Sequence, residues 1–323
     1  MVSRLQILRV RFATARTRRV LNVVFLLAAA AVSALSIQHF ASAGWPLRGA
    51  NPWLVVAAAL IFVAAYAFKA YGWRRLFAQH ERPGAHALAA ASGAAACTGL
   101  ALPGRFDDVV RVAVVRRFGR GPRAGIGALC LSLVLVGLID SAAITPLASV
   151  AAGLSHDGAG LQAGLAIVAA AGIAAAVLVV ALPWLSQQPR LARYRLFRWV
   201  RVRCACPREA SKAWLLVSAS WSLRALALYV LLAALGVSSS FPLALFFLCA
   251  TAASTALPIA PAGAATQIGA GAAILVVAGV KTSHAVAFAI SAQALVILAG
   301  AAVVVAATAW EARLRMWPAP LRP

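Results

Sequence analysis

Residues 100–117 read LALPGRFDDVVRVAVVRR, and the interpretation of the whole chain starts from this stretch. A long apolar run ends at Pro103 and Gly104, and an acidic pair, Asp107 and Asp108, follows among arginines. Because proline and glycine interrupt a helix, the break leaves backbone groups that hydrocarbon cannot satisfy. Such a break is stable only where protein or a wet cavity surrounds it. We therefore expect a broken or re-entrant helix here.

The composition is that of an all-α, polytopic membrane protein. The chain has 323 residues, of which 63% are hydrophobic and 11% are charged, whereas a soluble domain of this size needs more polar surface. The net charge of +23 comes from basic bands between apolar segments, which is typical of cytoplasmic loops and does not indicate a nucleic-acid partner. The five cysteines form no disulfide or metal-binding pattern. Signatures of enzymes are absent from the sequence, so we expect neither a cofactor nor catalysis.

The basic bands divide the chain into five regions. These are a basic cytoplasmic N-terminus (1–20), a first membrane half (21–185), a basic cytoplasmic linker (186–212), a second membrane half (213–312) and a cytoplasmic tail (313–323). Six full crossings are predicted near 21–40, 53–71, 126–150, 161–185, 213–235 and 285–310. Both termini then lie in the cytoplasm, and we expect the inner membrane of a bacterial-type cell.

Two segments leave an alternative open. The N-terminus resembles a signal peptide, with Ala41-Ser42-Ala43 as a cleavage site, but its apolar run is long enough to span, so we favour an uncleaved first helix. The segment 86–102 has basic residues on both flanks, and a full crossing would place six arginines outside. A re-entrant segment that dips in from the cytoplasm avoids this, and we favour it.

The second half repeats features of the first. A second interrupted apolar segment has its breaks at Pro258, Pro261 and Gly263. A shift of 155 residues places Lys69 on Arg224, Tyr66 on Trp221 and 101–103 on 256–258. The helix of Lys69 is predicted to run inward and that of Arg224 outward, so the halves form an inverted-topology repeat. Paired, interrupted segments of this kind indicate the binding site of a transporter.

The candidate binding residues are charged or polar groups within or beside the spans. Arg224 lies near the middle of a span, where an uncompensated charge costs about 2.5–3.5 kcal/mol, so it either binds a ligand or has a structural partner. Lys69 either does the same or extends to the interface. Asp140 is interpreted as a proton relay or as the counter-ion of Arg224. The full set is Lys69, Arg105, Asp107, Asp108, Arg111, Asp140, Arg224, Thr266 and Gln267.

Four members of this set lie beside the first break, and two follow the second. Asp107 and Asp108, with Arg105 and Arg111, either position the re-entrant tip and bind an anionic headgroup or belong to an ordinary interfacial helix. Thr266 and Gln267 are polar groups of an otherwise apolar segment. Exposed backbone amides at the start of that segment would face an anion.

These residues resemble the motifs of the lysylphosphatidylglycerol synthase transmembrane-region family, which contains flippase-like membrane proteins. The first-half motif is similar to LPGRFDDVVR at 102–111, the second-half motif to PAGAATQ at 261–267, and the end of the second helix to 69–75. The resemblance covers about residues 15–312. An Asp pair replaces the usual glutamate of the first motif, and two glycines of the second motif are alanine here.

The resemblance implies translocation or binding of a charged lipid. The chain ends at Pro323, so we expect it to lack the soluble synthase domain and the aminoacyl-transfer activity of family members that contain one. The leading hypothesis is a flippase-like protein that binds an anionic or modified lipid. The alternative is a non-transporting scaffold that partners a lipid-modifying synthase or glycosyltransferase.

Overall fold

A computed structural model describes residues 49–99, 106–118, 125–154, 159–187, 207–237, 240–256 and 263–316. These residues form nine α-helices and no strand, so the prediction of an all-α fold is confirmed. The helices are α1 (Pro52–Arg75), α2 (Ala85–Thr98), α3 (Phe106–Phe118), α4 (Ile126–Leu154), α5 (Ala159–Gln187), α6 (Pro207–Ala234), α7 (Phe241–Ala256), α8 (Gly263–Val277) and α9 (Thr282–Met316).

Five of these helices, α1, α4, α5, α6 and α9, are long and apolar enough to cross a membrane. They correspond to five of the six predicted crossings, and the chain is a multi-pass membrane protein. The remaining predicted crossing, at 21–40, lies outside the described residues. Two predicted boundaries move: α6 begins at Pro207, inside the predicted linker, and α9 continues to Met316, inside the predicted tail.

The helix α2 is shorter than a full crossing requires. Its 14 residues span about 21 Å at 1.5 Å per residue, against a hydrocarbon thickness of about 30 Å. This length favours the re-entrant alternative for 86–102 over a full crossing. The breaks predicted at Pro103, Gly104, Pro258 and Pro261 lie outside the described residues, as does Arg105.

The repeat is visible in the helix boundaries. Adding 155 to the bounds of α1, α2, α3 and α4 gives 207–230, 240–253, 261–273 and 281–309. The observed α6, α7, α8 and α9 begin within two residues of these positions. Both α1 and α6 begin at a proline, Pro52 and Pro207, a residue favoured in the first helical turn because its missing N–H is not needed there.

The contacts between α1 and α6 show that the two halves run in opposite directions. At one end of the pair, Asn51 N donates to Ala234 O at 2.9 Å. At the other end, Arg75 Nη1 lies 3.4 Å from Glu209 Oε2. The start of α1 therefore meets the end of α6, and the helices are antiparallel.

Two equivalent positions meet near the centre of this pair, where Ser220 Oγ donates to Ala65 O at 2.8 Å across 155 residues. A contact between equivalent positions is expected on a pseudo-two-fold axis, which supports the inverted repeat.

The two halves interlock rather than pack as separate bodies. The last long helix of the first half, α4, packs on α6 and α7 of the second half. Its equivalent, α9, packs on α1 and α2 of the first half. The helix α5 packs mainly on α4. These contacts between the halves bring side chains of α1, α4, α6 and α9 together beside the pseudo-two-fold axis that passes between α1 and α6.

Candidate functional site

A largely buried ion pair joins α1 to α4 within the long apolar helices of the bundle. Lys69 Nζ lies 2.6 Å from Asp140 Oδ2, and the side chains are 14% and 20% exposed. The other carboxylate oxygen, Oδ1, accepts a hydrogen bond of 3.0 Å from Trp221 Nε1 on α6. Asp140 is therefore the counter-ion of Lys69, which corrects the interpretation that it pairs with Arg224. Lys69 is paired in the interior rather than extended to the interface.

Arg224 on α6 lies against two aromatic rings instead of a carboxylate. Its guanidinium carbon is 4.9 Å from the ring centroid of Trp221 and 5.8 Å from that of Tyr66. Its Nε is buried and has no hydrogen-bond partner among the described residues. Buried polar groups are nearly always hydrogen-bonded, so this atom is positioned for an acceptor that the described residues do not provide.

The repeat relates these contacts to each other. Lys69 and Arg224 are equivalent positions, and so are Tyr66 and Trp221. Trp221 donates to Asp140 on α4, whereas Tyr66 Oη donates to Val296 O on α9 at 3.4 Å. The position equivalent to Asp140 is 295, which is a buried leucine. One of the two equivalent cations therefore has a carboxylate beside it, and the other has an apolar side chain at that position.

A second ionic cluster lies on α3. Arg111 Nη1 is 2.7 Å from Asp108 Oδ1, and Arg111 Nη2 is 3.1 Å from Asp107 Oδ2. Arg111 therefore has two carboxylate partners on its own helix. The helix α3 packs mainly on α2, with a few contacts to α4.

The remaining candidates lie elsewhere or are not described. Thr266 and Gln267 are half-buried residues of α8, and this helix packs on α7 and α9. Gly263 is the first residue of α8, so one predicted break coincides with a helix start. Arg105 lies outside the described residues. The site geometry therefore rests on α1, α3, α4 and α6.

The described cations and acids of the candidate site are nearly balanced. Three cations, Lys69, Arg111 and Arg224, lie among three carboxylates. Lys69 and Arg111 each form an ion pair, and Arg224 forms none with the described residues. A preference for an anion therefore rests on Arg224 and not on a general excess of positive charge. No group of three or more metal-ligating side chains occurs in the described ranges.

The sequence interpretation did not include Tyr66 and Trp221 among the site residues. Each precedes its cation by three positions, so a helix places the ring and the cation on the same face. This repeated aromatic–cation spacing was the available signal.

Comparisons with known proteins give one match. A family model described as "Lysylphosphatidylglycerol synthase TM region" matches residues 19–304, the main part of the chain. Neither the curated proteins nor the solved structures give a match. The matched range includes all nine candidate binding residues.

Proposed function

The chain belongs to the family of the lysylphosphatidylglycerol synthase TM region, and from this premise we propose that it moves a lipid with an anionic or modified headgroup between membrane leaflets. The family is linked to lipid handling in membranes. The finer assignment rests on one observation: a half-buried arginine whose Nε is itself buried and lacks a hydrogen-bond partner within the described residues.

Arg224 has the properties of a headgroup-binding residue. A guanidinium presents its N–H donors in a plane and binds a phosphate through two of them. The rings of Trp221 and Tyr66 lie against the guanidinium and restrict its orientation. A headgroup phosphate at Arg224 would satisfy the unpaired donor and neutralise the charge, which otherwise has a cost inside the membrane.

Further support comes from the symmetry of the bundle. Transporters built from inverted repeats bind their substrate near the bilayer midplane at the interface between the repeats. Lys69 and Arg224 lie on α1 and α6, the two helices that pack together beside the axis. A headgroup at this position would be accessible in turn from either side when the halves change their packing.

The proposed orientation places both termini in the cytoplasm and the protein in the inner membrane of a bacterial-type cell. Arg75, Arg82 and Lys212 gather around Glu209 at the end where α1 finishes and α6 begins. Basic residues at a membrane boundary favour the cytoplasmic side. The proposed partner is a membrane lipid, and the proposed role is binding and transfer rather than catalysis.

A leaflet assay tests the proposal. Purified protein is placed in liposomes that contain fluorescent phosphatidylglycerol or phosphatidylcholine, and an outer-leaflet quencher is added. We expect the protein to accelerate loss of protection for phosphatidylglycerol and Arg224→Gln to remove this acceleration. Arg313→Gln, a change at an exposed arginine near the end of α9, is the matched control and should behave as the unaltered protein.

The same assay separates transport from a scaffold role. A folded protein that accelerates no lipid would exclude translocation and favour a scaffold for a synthase or glycosyltransferase. Acceleration that is unchanged in Arg224→Gln would contradict the role given to this arginine.

A further inference from the structure

The two equivalent cations differ in their surroundings, and the difference predicts how many anions the site binds. Lys69 is neutralised by Asp140 at 2.6 Å, and the indole of Trp221 fixes that carboxylate from its other side. Arg224 has Leu295 at the position equivalent to Asp140. The pair of Tyr66 and Val296 shows that α9 reaches this side of the axis, as α4 reaches the other.

Resting on the function proposed above, we propose that the site binds a single phosphodiester group with one negative charge, at Arg224 and not at Lys69. The carboxylate of Asp140 occupies the place of a second anion. A lipid with two phosphate charges would have to displace Asp140 from Lys69 or leave one phosphate without a partner.

The geometry at Arg224 favours an acceptor that approaches in the plane of the guanidinium. The aromatic rings at 4.9 and 5.8 Å cover the guanidinium, so its N–H groups remain the route for an incoming oxygen. A phosphodiester has two equivalent anionic oxygens and matches two parallel donors. Lys69, in contrast, already has its ammonium within hydrogen-bond distance of a carboxylate oxygen.

Asp140 is thus a positioning residue: it neutralises Lys69 and leaves the equivalent cation, Arg224, available for an anion. It also explains why the bundle has a carboxylate on α4 and a leucine at the same place on α9. An acid at both places would neutralise both cations and leave none for the headgroup. The specificity for one charge therefore depends on positions 140 and 295 together.

The test counts bound lipids. Purified protein is titrated with phosphatidylglycerol, and the number bound per chain is counted by native mass spectrometry. We expect one lipid that is lost in Arg224→Gln. Leu295→Asp gives Arg224 a carboxylate and should weaken binding by about tenfold or more, whereas Leu295→Asn adds polarity without charge and should retain binding. Equal binding by these two variants would overturn the proposal.

Variants at the first cation complete the test. Asp140→Asn frees Lys69 and should raise the count to two. Lys69→Gln/Asp140→Asn removes both charges of the pair and should return the count to one, which also shows that the bundle still folds. A double variant that is folded but binds no lipid would place the anion at Lys69 and overturn the proposal.

Two further measurements distinguish a lipid headgroup from free phosphate, and the single-anion proposal from the transport proposal. Inorganic phosphate that competes with phosphatidylglycerol at equal concentration would identify free phosphate as the ligand and overturn the lipid assignment. One lipid bound at Arg224 without acceleration in the leaflet assay would support this inference while contradicting transport. If Arg224→Gln abolishes the acceleration but Leu295→Asp leaves the lipid count unchanged, the results would support transport and contradict this inference.

Discussion

The first and second halves of the bundle have equivalent helices, but the side chains at equivalent positions differ in polarity. In the first half, Trp73 Nε1 on α1 donates to Ser132 Oγ on α4 at 3.0 Å. The equivalent positions in the second half are Leu228 and Ala287, both buried and apolar. The same relation holds about two turns further along α4, where the position equivalent to Asp140 is Leu295 in the second half. The backbone arrangement thus tolerates either chemistry.

The short helices α3 and α8 differ in the same direction. Asp108 and Arg111 form an ion pair on α3. Their equivalents on α8 are Gly263 and Thr266. The carboxylates that pair with Lys69 and Arg111 thus have no acidic counterpart at the equivalent positions of the second half, and Arg224 has no carboxylate partner among the described residues. An inverted repeat provides two equivalent positions for a cation, and the neighbouring side chains determine which cation remains without a carboxylate partner.

Helix packing is also unequal between the halves. Gly93 on α2 and Gly300 on α9 approach so closely that a Cβ on Gly300 would lie 2.9 Å from Gly93 O. The equivalent positions, Leu248 on α7 and Thr145 on α4, both have side chains. Small residues allow helix backbones to approach closely in membranes, so α2 packs closely against α9.

Breaking the Lys69–Asp140 pair should have the largest effect. Asp140→Leu gives the first half the residue of the second and leaves Lys69 buried without its counter-ion. We expect a loss of about 3–5 kcal/mol in the free energy of unfolding, measured by thermal unfolding in detergent. Lys69→Met/Asp140→Leu removes both charges and should recover most of this loss. A single variant as stable as the double variant would show that the pair is not needed to neutralise Lys69.

The sequence predicted the repeat but not the pairing of its charges. A cation within a span is rare, so the match of Lys69 with Arg224 was informative despite the alanine-rich background. The pairing of Lys69 with Asp140 joins residues 71 positions apart and depends on which face of α4 turns toward α1. Hydrophobicity within a membrane does not fix that face, because lipid-facing and buried positions are both apolar. The hydrogen bond from Trp221 to Asp140 depends on the same face of α4.

A change at the close approach of α2 and α9 should have an intermediate effect. Gly300→Ala places a methyl group against the backbone of Gly93, so one helix must shift. Overpacking of this kind costs about 1–3 kcal/mol, and we expect a lower melting temperature in detergent. Gly137→Ala on α4 is the matched control, because nothing lies within 4 Å of its added methyl group. It should change the free energy of unfolding by about 0.5 kcal/mol or less. Equal melting temperatures for both variants would contradict the close packing.

At Glu209 the second half, and not the first, has the charged side chain. Replacing this residue should have the smallest effect on the free energy of unfolding. Glu209 lies at the start of α6, and its first-half equivalent is the apolar Leu54. Its carboxylate is within ion-pair distance of Arg82 at 2.9 Å, Lys212 at 3.3 Å and Arg75 at 3.4 Å. Arg75 and Lys212 are substantially exposed, so water and salt screen these interactions.

We therefore expect Glu209→Gln to cost about 1 kcal/mol or less, and this loss should decrease further at high salt because the ion pairs are screened. Thermal unfolding at low and high salt measures both effects. A loss as large as that of Asp140→Leu, and independent of salt, would show that the basic boundary of the bundle depends on Glu209 as strongly as the interior depends on Asp140. In that case the second half would contain an essential carboxylate of its own, at the membrane boundary rather than beside Arg224.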